Sequence, residues 1–373
     1  MKSIKVRIKP SSEQEKKLWK SVGTARWAYN WALDRQLQNY KEGNKFISDS
    51  DLRKELTQLK KTEEFSWLYD VSNNITKQAI KDLCLAYKRF FKGQSKHPRL
   101  KSRKKSKPSF YNDNEKLKIK EKSVLIEKVG WIKTSEQIPV NVKYKNPRIS
   151  YDNKYWYLSI AIDREKTKVE TELTDVVLGI DVGVKDLAIC SDGKIFRNIN
   201  KSQKVKRVEK RLRKLQRQVS RKYEMNKEGH RFIKTSNIIK LEKKIRLLQR
   251  KLSNIRQNHI FQTANTIVKT KPSKIAMEDL NIAGMMKNKH LSKAIQTQKL
   301  FELKRVIRYK CEWLGIKFVD VDRFFPSSKT CSDCGQVNSN LKLSDRVYNC
   351  ECGLEMDRDL NAAINLKRYA INI

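Results

Sequence analysis

What the sequence lacks narrows its class before any motif is considered. No stretch of the 373 residues approaches about 18 uninterrupted apolar residues, so no membrane span is expected. The opening MKSIKVRIKP alternates charged and apolar residues and has no apolar run of the kind a signal peptide needs, which makes a cytoplasmic location the expectation. Acids are scarce: 41 Asp and Glu stand against 83 Lys and Arg, a formal net charge of +42. Solubility needs far less, so the surplus points to a polyanionic partner. Cysteine is sparse, and of seven only the last four cluster (331, 334, 350 and 352), which suits a metal in a reducing compartment better than a disulfide frame. There is no internal repeat of fixed period and no evident helix-turn-helix or zinc-finger reader of base sequence.

The length leaves room for two or three domains. Ile4, Val6 and Ile8 alternate with basic residues, predicting a half-buried strand that stops at Pro10. Ser12-Glu13-Gln14-Glu15 has the form of a capping box, and helical patterns run on to about residue 92. In the last of these, Ile75, Ala79, Leu83, Tyr87 and Phe90 share one face. Residues 86–108 hold ten Lys or Arg and no acid, a basic loop, and strand patterns take over from 117 to 163. A lone first strand, a helical block and then more strands predict a small β-barrel with the helices inserted into it.

From 175 the order changes. Strands are predicted at 176–182, 186–190 and 194–197, then a basic helical pair over 201–257 with 21 Lys or Arg against four Glu. A helix at 258–270, a strand at 273–279, a helix near 298–314, a strand at 316–322, the cysteine cluster and a helix at 359–370 complete the chain. Three strands, helix, strand, helix, strand, helix is the order of an RNase H-like domain, with the basic pair and the cysteines as insertions. The fold class expected is therefore multidomain α+β. A β-barrel domain (1–10 and 110–174) carries a helical domain (11–109), and an RNase H-like α/β domain (175–330 and 353–373) carries an insertion at 331–352.

Within that plan carboxylates at three sites are out of place. Asp181 follows Val176, Val177, Leu178 and Ile180 in a strand apolar enough to be central, where an unpaired ionised carboxylate costs several kcal/mol. Glu278 and Asp279 follow Ile275, Ala276 and Met277 at the end of a second strand, and DRDLNAAINL places Asp357 and Asp359 at a helix start. One such acid is ordinarily a turn residue or an ion-pair partner. Acids from two strands and a helix start can converge on Mg²⁺ or Mn²⁺, hard cations that prefer oxygen ligands, two of which about 3.5–4 Å apart serve phosphodiester hydrolysis. Asp359 stands directly before the apolar helix face, with Asp357 as the alternative. Asp279 reads as a supporting group.

CSDCG (331–335) and CECG (350–353) give a C-x₂-C and a C-x-C pair with 15 residues between them. Each pair is followed by Gly, which lets the backbone fold under the sulfurs. Cys331, Cys334, Cys350 and Cys352 are thus expected to hold one structural Zn²⁺. Cys84, Cys190 and Cys311 fall on apolar faces and read as core. The runs KRFFKGQSKHPRLKSRKKSKP and KVKRVEKRLRKLQRQVSRK offer phosphate contacts without sequence information. Trp19, Trp27, Tyr29 and Trp31 share one predicted helix, mostly as core, with a stacking role open to one or two of them.

GIDVGVKDLA, MEDLNI, VDRFFPSSKTCSDCG and CGLEMDRDLNAAINL closely resemble the RuvC-type nuclease half of the TnpB proteins of bacterial and archaeal insertion sequences, relatives of the type V CRISPR effectors. The likeness covers about 175–373. SEQEKKLWKSVGTARWAYNWAL resembles the family's first recognition helix more loosely. The resemblance implies an RNA-guided DNA endonuclease. A transposon-derived guide RNA pairs with one strand of double-stranded target DNA beside a short motif, and one RuvC site cuts both strands, with one protein chain per RNA. The family's catalytic and metal-binding acids fall on Asp181, Glu278 and Asp359, and its second cysteine pair is usually C-x₂-C rather than the C-x-C found here. Two rival functions use the same residues: a transposase joining strands with the acidic triad, and a guided repressor that binds without cutting. A compact CRISPR effector differs from a transposon protein only in its neighbouring DNA.

Overall fold

The computed structural model describes residues 2–140, 142–163, 172–342 and 345–373. Residues 164–171, at the end of the expected sheet domain, and 343–344, inside the cysteine insertion, lie outside the described residues. The chain divides into two compact units, Met1–Glu165 and Lys166–Ile373. No helix among the described residues is long and apolar enough to cross a membrane.

In the first unit, strand β1 (Lys2–Lys9) buries Val6 and Ile8 on one face and keeps basic residues on the other. Pro10 ends the strand, and helix α1 (Ser12–Lys41) begins with a capping box. The box sits one residue earlier than the sequence pattern suggests, on Ser11 and Gln14. The reason is chemical. The Gln14 amide accepts from the Ser11 N–H at 3.0 Å and also donates to the Trp131 carbonyl at 2.9 Å, which an acceptor-only carboxylate could not do. Glu15 instead accepts from the indole N–H groups of Trp19 and Trp156. Helices α2 (Asp49–Leu59) and α3 (Asn73–Phe91), joined by a 3₁₀ turn (Glu63–Asp70), pack on α1 through Ala28, Ala32, Leu52, Leu68, Ile80 and Leu83.

The remaining strands are β2 (Ser109–Tyr111), β3 (Lys118–Lys120), β4 (Ser123–Ile126), β5 (Gly130–Thr134), β6 (Tyr144–Tyr151) and β7 (Trp156–Ile162). They form one sheet in the order β2-β6-β7-β1-β5-β4-β3, every pair antiparallel. The first strand lies at its centre, with the helical block between it and the strands that flank it. Phe110 near one edge and Val124 near the other share one apolar core, so the sheet curls. The edges β2 and β3 are not paired with each other among the described residues, and the expected barrel is thus a curled open sheet. Of the α1 aromatics singled out in the sequence, Trp19 meets Tyr151 and Trp156 at 5.0 Å while staying partly exposed, Trp27 stacks on Trp31 and meets Trp67 edge-on, and Tyr29 is buried.

The second unit is built on β8 (Thr174–Asp181), β9 (Asp186–Cys190), β10 (Ile195–Arg197), β11 (Lys227–Glu228), β12 (Arg231–Phe232), β13 (Pro272–Glu278), β14 (Lys317–Val321), β15 (Val347–Asn349) and β16 (Glu355–Asp357). Its helices are α4 (Gln203–Met225), α5 (Ser236–Lys269), α6 (Ile282–Met285), α7 (Ser292–Gln298), α8 (Leu300–Leu314) and α9 (Arg358–Ile371). The main sheet has the order β10-β9-β8-β13-β14, with β8, β13 and β14 parallel and β9 and β10 antiparallel: the RNase H-like arrangement. Leu178, Ile180, Ile275 and Met277 face α5 and α8, while Val177, Ala276, Val319 and Val321 face α9. One expectation changes. The helix predicted at 258–270 continues the basic pair, because no Gly or Pro interrupts 236–269 and α5 serves both the α4 hairpin and the sheet. Its outer half packs on α4 through Val205, Val208 and Leu252.

Candidate active site and metal centre

Asp181 and Glu278 are the last residues of the parallel strands β8 and β13, one step beyond the Ile180–Met277 register pair. Side chains alternate along a strand, so both carboxylates lie on the α9 side, in line with Val177 and Ala276. The carboxyl ends of parallel strands are where open α/β sheets place their sites.

Gly179 brings α9 to this face. A Cβ there would stand 2.0 Å from the Ala363 carbonyl oxygen and 2.4 Å from the Lys367 nitrogen, so only glycine lets the helix lie against β8. With α9 seated, its first turn delivers Asp359 beside Asp181. Asp357 does something else: its carboxylate caps the helix, accepting from the N–H groups of Asp359 at 2.9 Å and Leu360 at 3.2 Å.

Electrostatics tie the three predicted acids together. Burial, then the charges of Asp359 and Glu278, raise the Asp181 carboxyl to about 7, against a weaker opposing pull from Arg358. Burial also raises Glu278, partly offset by Lys304. Asp359 is held by Arg358, whose Nη2 lies 3.2 Å from its Oδ1. Among the described residues only the four cysteines bring three or more such ligand atoms all within 4.8 Å of one another; the three acids are spread more widely.

Beside Glu278 lies a set of ion pairs that the sequence pattern did not reveal. Lys304 of α8, with a side chain 16% exposed, donates to the Glu278 carbonyl (3.0 Å) and pairs with Asp279 (3.2 Å) and Asp320 (2.9 Å). Three ammonium protons thus meet three acceptors. Asp279 also pairs with Arg323 at 2.6 Å, and these cations hold its carboxyl below the usual range. Lys304, Arg323, Arg358 and Gly179 are each unremarkable in so basic a sequence; only the tertiary contacts single them out.

The cysteines close into one cluster. The Cys331 and Cys352 sulfurs lie 3.6 Å apart and those of Cys334 and Cys350 3.5 Å apart. Gly335 and Gly353 have φ of +80° and +93°, each donating its N–H to the carbonyl of the first cysteine of its pair. The C-x-C pair therefore still reaches the other two. Burial raises the Cys331 thiol, but the backbone N–H groups of Cys334 and Asp333 outweigh it and bring the group down to about 7. Four converging soft donors fit a tetrahedral zinc ion. The hairpin of β15 and β16 carries the second pair, and Asn361 of α9 accepts from Ser332 N–H at 2.9 Å, tying the cluster to the helix that bears Asp359. Cys84, Cys190 and Cys311 are buried singly, their thiols pushed up to about 11, 12 and 12.

Fold and site together define an RNase H-like α/β domain with clustered acids and a four-cysteine ribbon. Family models described as "Helix-turn-helix domain", "Probable transposase" and "Cas12f1-like, TNB domain" match residues 1–45, 157–289 and 301–366. Over 1–45 the structure holds one strand and one 30-residue helix, not two helices and a turn. A Streptomyces pristinaespiralis protein named "Putative RNA-guided DNA endonuclease" is 31% identical across 98% of this chain and 88% of its own length. "Putative RNA-guided DNA endonuclease InsQ" of Escherichia coli is 29% identical across 98% of this chain and 91% of its own. The chain belongs to this insertion-sequence family, the TnpB proteins. A solved structure described as "Cryo-EM structure of the Cas12f1-sgRNA-target DNA complex" has the same fold, with a TM-score of 0.53 at 16% identity and 98% of each chain covered.

Proposed function

We propose that the chain is an RNA-guided endonuclease of a transposable element that hydrolyses both strands of guide-complementary double-stranded DNA, next to a short motif, in one acidic site. The observation that carries this is the convergence of Asp181, Glu278 and Asp359 from two strand ends and a helix start, where burial and then the charges of Asp359 and Glu278 raise Asp181 to about 7. Asp279 and Asp357 are committed to ion pairs and a helix cap, so they stand outside the set. Asp181, Glu278 and Asp359 would hold Mg²⁺ or Mn²⁺, and a pair of such ions supplies the activation of water and the stabilisation of the leaving oxygen. The chain's own residues shape the site. Gly179 admits α9, Arg358 orients Asp359, and Lys304 fixes the carbonyl of Glu278.

Cys331, Cys334, Cys350 and Cys352 hold one structural Zn²⁺ in this proposal. The helical block (11–109) serves recognition, the sheet (1–10 and 110–174) is a wedge-like support, 175–330 with 353–373 is the nuclease, and 331–352 is the ribbon. The charge of +42 supplies phosphate contacts for one guide RNA per chain and its DNA, in the cytoplasm, while base pairing selects the target. The names of the relatives support the guided reading. The direct test is to sequence RNA that stays with the purified protein through a high-salt wash. One defined species that confers cleavage of matching DNA is expected. A random mixture without effect, or RNA-independent strand joining, contradicts the proposal.

A further inference from the structure

Phe324 is the most exposed large apolar side chain among the described residues, at 85%. Single exposed apolar groups are common on protein surfaces, but this one sits on an anchored turn that leaves the strand paired with Glu278. Glu278 is in register with Val321, and the Asp279 N–H donates to the Val321 carbonyl at 3.0 Å. Phe324 follows three residues later, so its Cα lies no more than about 11 Å from that of Val321. The turn between them is fixed at several points. Asp322 Oδ1 accepts from the Phe324 N–H at 2.8 Å, the Asp322 carbonyl accepts from the Phe325 N–H at 3.1 Å, and Arg323 is tethered to Asp279 at 2.6 Å. Phe325 turns inward against Tyr369, with ring centroids 5.0 Å apart. Its neighbour Phe324 is left in solvent and makes no ring contact among the described residues. An exposed aromatic ring on an anchored turn, following Arg323 and leaving the strand that pairs with Glu278, has the chemistry of a base-stacking platform.

We propose that Phe324 stacks on an unpaired nucleobase of the DNA strand held at the acidic site, within a few nucleotides of the bond to be cut. The site's identity as a nuclease rests on the function proposed above; the stack does not require cleavage. In a duplex both faces of a base are covered by its neighbours, so the platform selects single-stranded DNA. Affinity gained there is independent of sequence, because every base has a stacking face.

The test uses the full chain with its copurified RNA and a single-stranded DNA oligonucleotide carrying 5-iododeoxyuridine at one position at a time. In an Asp181→Asn background, which prevents cutting, photocrosslinks from one or two adjacent positions should map to Phe324. In the otherwise wild-type chain, Phe324→Ala should raise KM for the oligonucleotide about tenfold, equivalent to about 1.4 kcal/mol, with kcat little changed. The melting temperature should not move, and Phe324→Trp should restore KM. Crosslinks that map elsewhere, or an unchanged KM in Phe324→Ala, would overturn the proposal. Crosslinking to Phe324 by a wild-type chain that cuts no DNA would support the stack and reject the nuclease function instead.

Discussion

Asp181 answers a question of charge. An aspartate in an unfolded chain keeps its proton only below about 4, whereas Asp181 in the fold keeps it up to about 7. Between these values the folded chain binds more protons than the unfolded one, so raising the pH through this window lowers the stability of metal-free protein. Above about 7 the full penalty is present, a few kcal/mol. Asp181→Asn should flatten that part of the stability profile and melt higher than wild type at pH 8, while Mg²⁺ should raise the melting temperature of wild type and not of the variant. Thermal melts across pH 4–8 with and without Mg²⁺ check this; parallel profiles would contradict it. The pair in DRD separates in the same way. Asp357→Ala should cost about 1 kcal/mol as a lost helix cap and leave the carboxylate cluster in place. Asp359→Ala should leave stability nearly unchanged and remove activity. The sequence placed Asp359 at a helix start but could not tell cap from cluster, because both acids sit in one turn and only the N–H directions divide them.

At the scale of elements, the seating of α9 on β8 decides whether the acids meet. Gly179→Ala must push the helix off the strand, since the obstructing atoms are backbone rather than a movable side chain. Overpacking of this kind costs about 1–3 kcal/mol, and activity should fall far more than stability although every carboxylate remains. Comparison of melting and cleavage in the one variant tests the point. The cysteine ribbon makes a parallel case. Purified protein should carry about one zinc per chain by elemental analysis, and Cys331→Ser or Cys350→Ser should lose it and loosen the 331–352 segment. Much of this was legible from period and punctuation: β8, β13, β14 and α9 follow from apolar runs bounded by turns. The continuity of α5 was not, because a helix that leaves an insertion and enters a core changes partners without changing period. The open first-unit sheet was hidden likewise, since barrel closure depends on edge pairing that no local pattern encodes.

For the whole molecule, the excess of basic residues sets the dependence on salt. Association with RNA and DNA should weaken steeply as salt rises, by counterion release, while discrimination between matched and mismatched targets, carried by base pairing, should change much less. The basic hairpin of α4 and α5 and the loop after α3 were plain in the composition; Lys304 and Arg323 were lost in it, since charge counts do not show which cations turn inward. The most direct measurement is cleavage of guide-complementary plasmid DNA by the protein with its copurified RNA and Mg²⁺, comparing wild type with Asp181→Ala, Glu278→Ala, Asp359→Ala and Asp357→Ala. Both strands should be cut by wild type and by Asp357→Ala. Each of the other three should bind the target but cut neither strand, and their combination should be no worse than one alone. Cleavage that survives in Asp181→Ala, or that is lost in Asp357→Ala and kept in Asp359→Ala, would contradict the account.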